Sequence, residues 1–166
     1  HGARVRAPLL GLNRGTGKAV KAAPKEVNNG GHHLFAEKCA EACMVVLKNE
    51  HNVLPRAEDE KVCVIGDFAK NPRYQGAGSS VVNPTKLDNV VACIGEYPIN
   101  YIGYAQGYER YGKANKKLAN EAISLARRAD KIVFFMGLDE VSEAEGIDRA
   151  DMQIPANQRD MLAQLY

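Results

Sequence analysis

"KVCVIGD", residues 61–67, is a short apolar run that ends at Gly66 and predicts a buried strand. A second run of the same kind, "KIVFFMG", occupies residues 131–137. Between them, "NYIGYA" at residues 100–105 predicts a weaker strand, since a glycine inside a strand has no side chain to pack. We therefore expect these three runs to form one sheet.

Helical patterns separate the expected strands. Apolar side chains recur at spacings of three and four before, between and after them, which is typical of helices that bury one face. The clearest case is residues 113–130, where Leu118, Ala122 and Leu125 share a face. The expected helices run from His32 to about Asn49, over residues 85–97 with Thr85 as the N-cap, over residues 113–130, and from Pro155 to residue 166.

The alternation of apolar strands and helices predicts an α/β fold, because a parallel sheet needs helices on both faces. We expect a three-layer α/β/α sandwich with a mostly parallel sheet. Three parallel strands leave two open edges, so the sandwich is expected to be truncated. We assign residues 1–27 to a linker or tail and residues 28–166 to this partial sandwich domain. Ligands of such sheets meet the loops after the strands, here residues 66–84 and 137–155.

The composition argues against two classes of partner. The chain has 166 residues, of which 45% are hydrophobic and 25% charged, and its net charge is only +2. It shows neither a strong positive charge nor an aromatic-basic stripe, so we expect no nucleic acid as a partner. No apolar run approaches the roughly 20 residues that span a bilayer, so we expect no membrane association.

The cysteines bear on metal binding and on location. Four are present, Cys39, Cys43, Cys63 and Cys93, without a C-x-x-C motif. Neither they nor the four histidines have the spacing of a zinc site, so we expect no metal and no other cofactor. Free thiols are typical of reducing compartments, which favours a cytoplasmic protein. A signal upstream of His1 would instead direct it to the periplasm or out of the cell.

The first of the two loops contains "QGAGSS", residues 75–80, whose glycines suggest a phosphate-binding loop. The dinucleotide pattern fails because Val81 stands where a glycine or alanine is required, and no lysine follows the glycines as in a phosphate loop. A nucleotide-binding domain is therefore disfavoured. The segment is either a structural loop in which Ser79 and Ser80 bond locally, or a loop that contacts a sugar or an anion.

The second loop begins with "GLDEVSEAEGIDR", residues 137–149, which holds five carboxylates directly after an apolar strand. Like charges repel, and three explanations stay open. The carboxylates face water, or they bind a metal ion in an order unlike that of a calcium loop, or one of them is an acid/base catalyst with a raised pKa. Arg149 is expected to pair with Asp148 or with a glutamate.

Three stretches, in this order, resemble signatures of glycoside hydrolase family 3, of the β-glucosidase type. They are "HHLFAEKCAEACMVVLKNEHNVLP", residues 32–55, "KVCVIGDFAKNPRYQGAGSSVVNP", residues 61–84, and "GLDEVSEAEGIDRADMQIPANQRDML", residues 137–162. Each stretch is weak alone, but their order and spacing match the family from about residue 28 to residue 166. The first 27 residues depart from the family's pattern.

The resemblance implies a role in a larger enzyme. Members of the family pair a (β/α)8 barrel, which carries a nucleophilic aspartate, with an α/β sandwich that lends a glutamate as general acid/base. The chain resembles the end of the connecting linker and about the first two-thirds of the sandwich, so we expect the barrel to be a missing partner and the chain by itself to be inactive. The implied function is a retaining, exo-acting β-glycosidase that removes terminal β-linked glucose from a β-glucoside or oligosaccharide, with β-xylosides as the second choice. The alternative is a non-catalytic domain that binds sugar or packs against a partner.

The resemblance also implies roles for single residues. Glu143 is the first choice for the acid/base residue and Glu145 the second. Asp148 and Arg149 are expected to brace the loop, while Asp139 and Glu140 are expected to be solvated. In the first loop, the residues expected near the sugar are Gly78, Ser79 and Ser80.

Overall fold

A computed structural model describes residues 28–166. The expected linker or tail, residues 1–27, lies outside the described residues. The chain divides into a first unit that ends at Val45 and a second unit, Val46–Tyr166. The described part contains no helix that is both long enough and apolar enough to cross a membrane.

The described part of the first unit is helix α1, Asn29–Ala42. It begins where the side chain of Asn28 accepts a hydrogen bond from the N–H of Gly31 at 2.8 Å. The expected end near Asn49 is wrong, because the helix stops seven residues earlier. No residue of α1 is buried. Most of the stability of a helix in a protein comes from packing of its apolar face, and the apolar residues of α1 are not buried.

The second unit is built on three strands: β1, Lys61–Ile65, β2, Asn100–Ala105, and β3, Lys131–Phe134. All three are parallel, and β1 lies between the other two. This central position explains the sequence of β1, since a strand covered on both faces needs apolar residues throughout. Cys63, Val64 and Ile65 are accordingly 0% exposed. The three predicted strands and their parallel arrangement are confirmed.

Helices cover both faces of this sheet. On one face, Cys63 and Ile65 pack against α4, Lys116–Ala126, and α5, Ala156–Leu165. On the other face, Val64 packs against the one-turn helices α2, Asp67–Lys70, and α3, Val90–Cys93. The predicted three-layer α/β/α sandwich is therefore confirmed. Because β1, β2 and β3 are parallel, their carboxyl ends lie at the same end of the sheet, and the loops that follow them meet there.

The sequence misplaced one helix start. Thr85 was expected to cap the second helix, but α3 begins at Val90, and the side chain of Asn89 accepts a hydrogen bond from the N–H of Ala92 at 2.9 Å. Asparagine is a stronger N-cap than threonine, which accounts for the choice. The predicted helix at residues 113–130 shortens in the same way to α4, whose N-cap is Asn115.

Candidate active site

Two loops form an open groove at the carboxyl edge of the sheet. One follows β1, and the other follows β3, which pairs directly with β1. The groove has a volume of about 720 Å3 and is lined by residues 73–77, 79–80 and 143–145. Both loops were predicted as ligand-binding segments from their position after the strands. We call residues 75–80 the glycine-serine loop and residues 137–155 the acidic loop.

Glu145 joins the two loops. Its Oε2 atom accepts a hydrogen bond from the N–H of Ser79 at 2.7 Å and a second one from the Ser79 hydroxyl. Its own N–H donates to the carbonyl of Ala77 at 3.0 Å. The Ser79 hydroxyl, and after it the Ser79 N–H, lower the pKa of the Glu145 carboxyl, because both hydrogen bonds favour the charged form.

Gly78 makes this contact sterically feasible. Its φ of +107° lies in a region that side chains other than glycine rarely adopt. A Cβ atom at this position would also lie only 2.7 Å from the Cβ of Glu145. The glycine is therefore required both by the backbone turn and by the close approach of the acidic loop.

Ser80 makes a different bond from its neighbour. Its hydroxyl donates to the carbonyl of Gly76 at 3.1 Å, inside the glycine-serine loop. Of the three residues expected near a sugar, Ser80 thus bonds locally, while Gly78 and Ser79 contact the acidic loop.

Glu143 is held by an arginine that the sequence did not single out. The Nη1 atom of Arg73 lies 2.7 Å from Oε2 of Glu143, and Nη2 donates to the Glu143 carbonyl at 2.8 Å. Arg73 also donates to the carbonyl of Leu138 at 3.4 Å. The Arg73 side chain is largely buried, whereas that of Glu143 is half exposed. The arginine thus holds both the side chain and the backbone of Glu143.

A second arginine connects the loops that follow all three strands. Arg110, which follows β2, pairs with Asp67 at the end of β1, with 2.6 Å between Nη1 and Oδ2, and also with Glu140 of the acidic loop. The guanidinium lies 4.4 Å from the centre of the Phe68 ring. The Glu140 side chain is 39% exposed, so it is solvated only in part, and the Arg110 hydrogen bond engages its carboxylate and lowers its pKa.

Asp139, which was also expected to be solvated, is buried. It is only 3% exposed, and its carboxylate accepts the N–H of Val141 and the N–H of Ser142, both at 2.8 Å, and the Ser142 hydroxyl at 2.9 Å. Burial alone would raise the pKa of Asp139, but the hydrogen bonds from Ser142 and Val141 outweigh it, and the pKa is lowered. Asp139 thus forms the local turn that opens the acidic loop.

One buried glutamine holds the base of the acidic loop. Gln158, on α5, accepts a hydrogen bond from the N–H of Gly137 at 2.8 Å and donates one to the Gly137 carbonyl at 2.9 Å. Its side chain is 0% exposed. We call Gly137 and Gln158 the neck of the acidic loop.

Asp148 and Arg149 lie outside these contacts. Arg149 donates to the carbonyl of Gln153 at 3.3 Å, and within residues 28–166 no ion pair links it to Asp148. An exposed ion pair gains little against the side-chain entropy it costs, so the expected pairing has little to favour it. The contacts that brace the loop come instead from Arg73 and Arg110. Across the described residues, no group of three or more His, Cys, Asp or Glu side chains is arranged to hold a metal ion.

Comparison with known proteins identifies the family of the domain that forms this groove. The model of the glycosyl hydrolase family 3 C-terminal domain matches residues 44–166, which include the sheet and both loops. The chain belongs to glycoside hydrolase family 3. The family predicted from three short stretches is thereby confirmed.

The family members that resemble the chain are glycosidases of several specificities. The thermostable β-glucosidase B of Acetivibrio thermocellus is 39% identical over 82% of this chain and 18% of its own. The exo-α-(1→6)-L-arabinopyranosidase of Bifidobacterium breve is 36% identical over 81% of this chain and 19% of its own. A crystal structure of a Bifidobacterium adolescentis family 3 β-glucosidase superimposes with a TM-score of 0.80 at 34% identity, over 87% of this chain and 21% of that one. The chain thus spans about a fifth of the length of these relatives.

Proposed function

We propose that this chain supplies the general acid/base residue of a retaining, exo-acting β-glycosidase, and that this residue is Glu145. The observation that carries the proposal is the geometry of Glu145, which lines the groove and is held through one carboxyl oxygen by an uncharged serine, whereas Glu143 is paired with an arginine. Within residues 28–166, no group donates to its Oε1 atom. A general acid needs one oxygen that is free to reach the proton acceptor.

Glu143, the first choice from the sequence, is less suited to this role. Arg73 lies 2.7 Å from Glu143 Oε2 and also donates to the Glu143 carbonyl at 2.8 Å, so both the side chain and the backbone of Glu143 are engaged in holding the loop. Glu145 is held by a serine instead, whose uncharged hydroxyl can remain hydrogen-bonded beside either charge state of the carboxyl group.

The proposed acid requires a second domain. Ser79 lowers the pKa of Glu145 in the open groove, whereas a general acid at neutral pH needs a raised one. A barrel domain that covered the groove would remove water from Glu145 and raise its pKa. The same domain would bring the nucleophilic carboxylate to about 5–5.5 Å from Glu145, the separation of retaining glycosidases.

The proposed substrate is a terminal β-linked glucose, with β-xylosides second. This choice follows the relatives, since a β-glucosidase of Acetivibrio thermocellus is 39% identical and a probable β-D-xylosidase of Arabidopsis thaliana is 29% identical. An arabinopyranosidase at 36% identity makes an α-L-arabinopyranoside the third substrate to assay.

The experiment compares Glu145→Ala with Glu143→Ala in a protein that carries this chain together with a barrel domain. On an aryl β-glucoside with a poor leaving group, we expect Glu145→Ala to lower kcat/KM by about 10²–10⁴-fold, the usual contribution of general acid catalysis. With a leaving group that needs no protonation, the loss should be much smaller. Glu143→Ala should lower kcat/KM for both substrates by a similar factor, because it perturbs the loop rather than the proton transfer.

Two results would contradict the proposal. One is a leaving-group dependence in Glu143→Ala that is absent in Glu145→Ala, which would make Glu143 the acid. The other is robust hydrolysis of an aryl β-glucoside by the purified chain alone, because a single carboxylate cannot serve both steps of the retaining mechanism.

A further inference from the structure

We infer that Ser79 is a positioning residue for Glu145: it holds the Oε2 atom and leaves Oε1 as the oxygen that gives and receives the proton. The inference rests on the proposed role of Glu145 and adds to it which oxygen reacts and what fixes that choice. Glycine-serine loops suggest phosphate or sugar binding, but here the serine binds the other loop of the groove.

The argument begins with the two donors on one atom. The N–H of Ser79 lies 2.7 Å from Glu145 Oε2, and the Ser79 hydroxyl donates to the same oxygen. A proton on Oε2 would face the N–H of Ser79, which can only donate, and would force the Ser79 hydroxyl to turn from donor to acceptor. A proton on Oε1 leaves Oε2 as a carbonyl oxygen, which can still accept both hydrogen bonds. The serine therefore favours protonation of Oε1 and fits both charge states of the carboxyl group.

The backbone keeps Ser79 in this position. The Glu145 N–H donates to the carbonyl of Ala77, so the chain contacts Glu145 on both sides of Gly78. Gly78 itself leaves no space for a Cβ atom between the two loops. The N–H of Val81 donates to the Gly78 carbonyl at 3.2 Å and closes the turn. Ser79 thus presents its N–H and hydroxyl from a backbone that is fixed before a substrate enters.

The proton then follows a defined path. In the first step, the nucleophile of the second domain bonds to the sugar while the glycosidic C–O bond breaks, and its electron pair goes to the leaving-group oxygen. That oxygen takes the proton from Oε1, and the electron pair of the Oε1–H bond stays on Glu145. In the second step, Oε1 takes a proton from water as the water oxygen bonds to the sugar and releases the nucleophile. Ser79 keeps both hydrogen bonds throughout, and they strengthen whenever Glu145 is charged.

Among residues 28–166, the charged and titratable groups that line the groove with Glu145 are Arg73 and Tyr74 from the first loop and Glu143 from the acidic loop. Arg73 pairs with Glu143, so the two charges largely compensate each other. Removal of the Ser79 hydroxyl should therefore raise the pKa of Glu145, since one hydrogen bond to the charged form is lost.

The test is the pH dependence of kcat/KM for Ser79→Ala, in a protein that carries this chain with a barrel domain. The acid must be protonated, so its pKa sets the basic limb of the profile. We expect Ser79→Ala to move the basic limb to higher pH, to leave the acidic limb in place, and to lower kcat/KM for a poor leaving group by about tenfold, as for one hydrogen bond to a charged group. Ser79→Thr, which keeps the hydroxyl, should restore the wild-type limb.

Ser142→Ala is the matched control. It also removes a hydroxyl that donates to a carboxylate of the acidic loop, but that carboxylate is Asp139. This variant should leave the basic limb in place. If Ser79→Ala lowers the midpoint of thermal unfolding, Ser79→Cys serves as a second variant. Its thiol is similar in size to the hydroxyl and is a weak donor, so the basic limb should move to higher pH by less than in Ser79→Ala.

Three outcomes would overturn the inference. The basic limb of the pH profile does not move in Ser79→Ala, or it moves equally far in Ser142→Ala. The third outcome is that Ser79→Thr has the same shifted basic limb as Ser79→Ala. Each of them sinks the role of Ser79 while Glu145→Ala still shows its leaving-group dependence. Loss of that dependence would instead remove the proposed function, so the two failures are distinguishable.

Discussion

Asp139 and Glu140, the inner half of the acidic loop, differ from Glu143 and Glu145, its outer half, in what neutralises them. In the inner pair, Asp139 accepts hydrogen bonds from two backbone N–H groups and from the Ser142 hydroxyl, and Glu140 pairs with Arg110. The outer pair faces the groove, where Glu143 meets Arg73 and Glu145 meets Ser79. These four carboxylates can lie close together because each of them has a partner of its own. The inner half therefore builds the loop, and the outer half is available for chemistry.

The largest effect should come from the inner half. Arg110→Met leaves the carboxylate of Asp67, which is 5% exposed, without its charge partner. Breaking a buried ion pair by removing one member costs about 3–5 kcal/mol. We expect a loss of this size in the free energy of unfolding, measured by urea denaturation of the chain. Arg128→Met, at an exposed arginine near the end of α4, should change it by less than about 0.5 kcal/mol. A loss below 1 kcal/mol for Arg110→Met would mean that Arg110 does not hold the loop.

A smaller effect should appear at Asp139. Asp139→Ala removes hydrogen bonds to the N–H groups of Val141 and Ser142, and the loss of such a cap costs about 1 kcal/mol. Because the pKa values of Asp139 and Glu140 are lowered in the folded chain, the unfolded chain binds their protons at higher pH. Their contribution is therefore complete at neutral pH and is lost as the pH falls below roughly 4, the ordinary value of these groups.

The pH dependence gives this prediction its control. Between neutral and acidic pH, urea denaturation should show a smaller decline in stability for Asp139→Asn than for the wild type. Asp160→Asn, at an exposed carboxylate of α5, should follow the wild-type decline. Parallel declines in all three proteins would show that the inner half does not carry the acid sensitivity.

The smallest effect on stability should come from the outer half. Glu143→Gln removes the charge that faces Arg73, but the Glu143 side chain is 49% exposed. Ion pairs exposed to this extent contribute about 0–1 kcal/mol. We expect a change of at most 1 kcal/mol in urea denaturation, which shrinks further in 1 M salt because the charges are screened. A loss as large as that of Arg110→Met would erase the distinction between the two halves.

The fold could be predicted from the sequence because its strongest signals are local. The apolar runs at β1 and β3 need no knowledge of the rest of the chain, and a parallel sheet follows from their alternation with helices. The end of α1 and the cap of α3 could not be placed. The periodicity near Asn49 does not show whether a face will be covered, and Thr85 and Asn89 are both acceptable caps.

The site could be predicted only in part, because its partners are far apart in the chain. Ser79 and Glu145 are 66 residues apart, and Arg110 lies 43 residues from Asp67 and 30 from Glu140. The position of the two loops after neighbouring strands indicated that they would meet. Which side chains would pair was not predictable, so the partner of Glu140 was missed and Asp139 was wrongly expected to face water. The cytoplasmic location stays a prediction.

The neck has a consequence for protein engineering. A single amide on α5 fastens the backbone of Gly137, which follows β3, with both of its polar atoms. The residues between Gly137 and Gln158 therefore form a loop that these two hydrogen bonds close. The entropy cost of a closed loop grows only with the logarithm of its length, about 0.6 kcal/mol for each doubling. The parts of this segment that contact neither Arg73, Arg110 nor Ser79 should therefore tolerate changes in length and sequence, provided that Gln158 is kept.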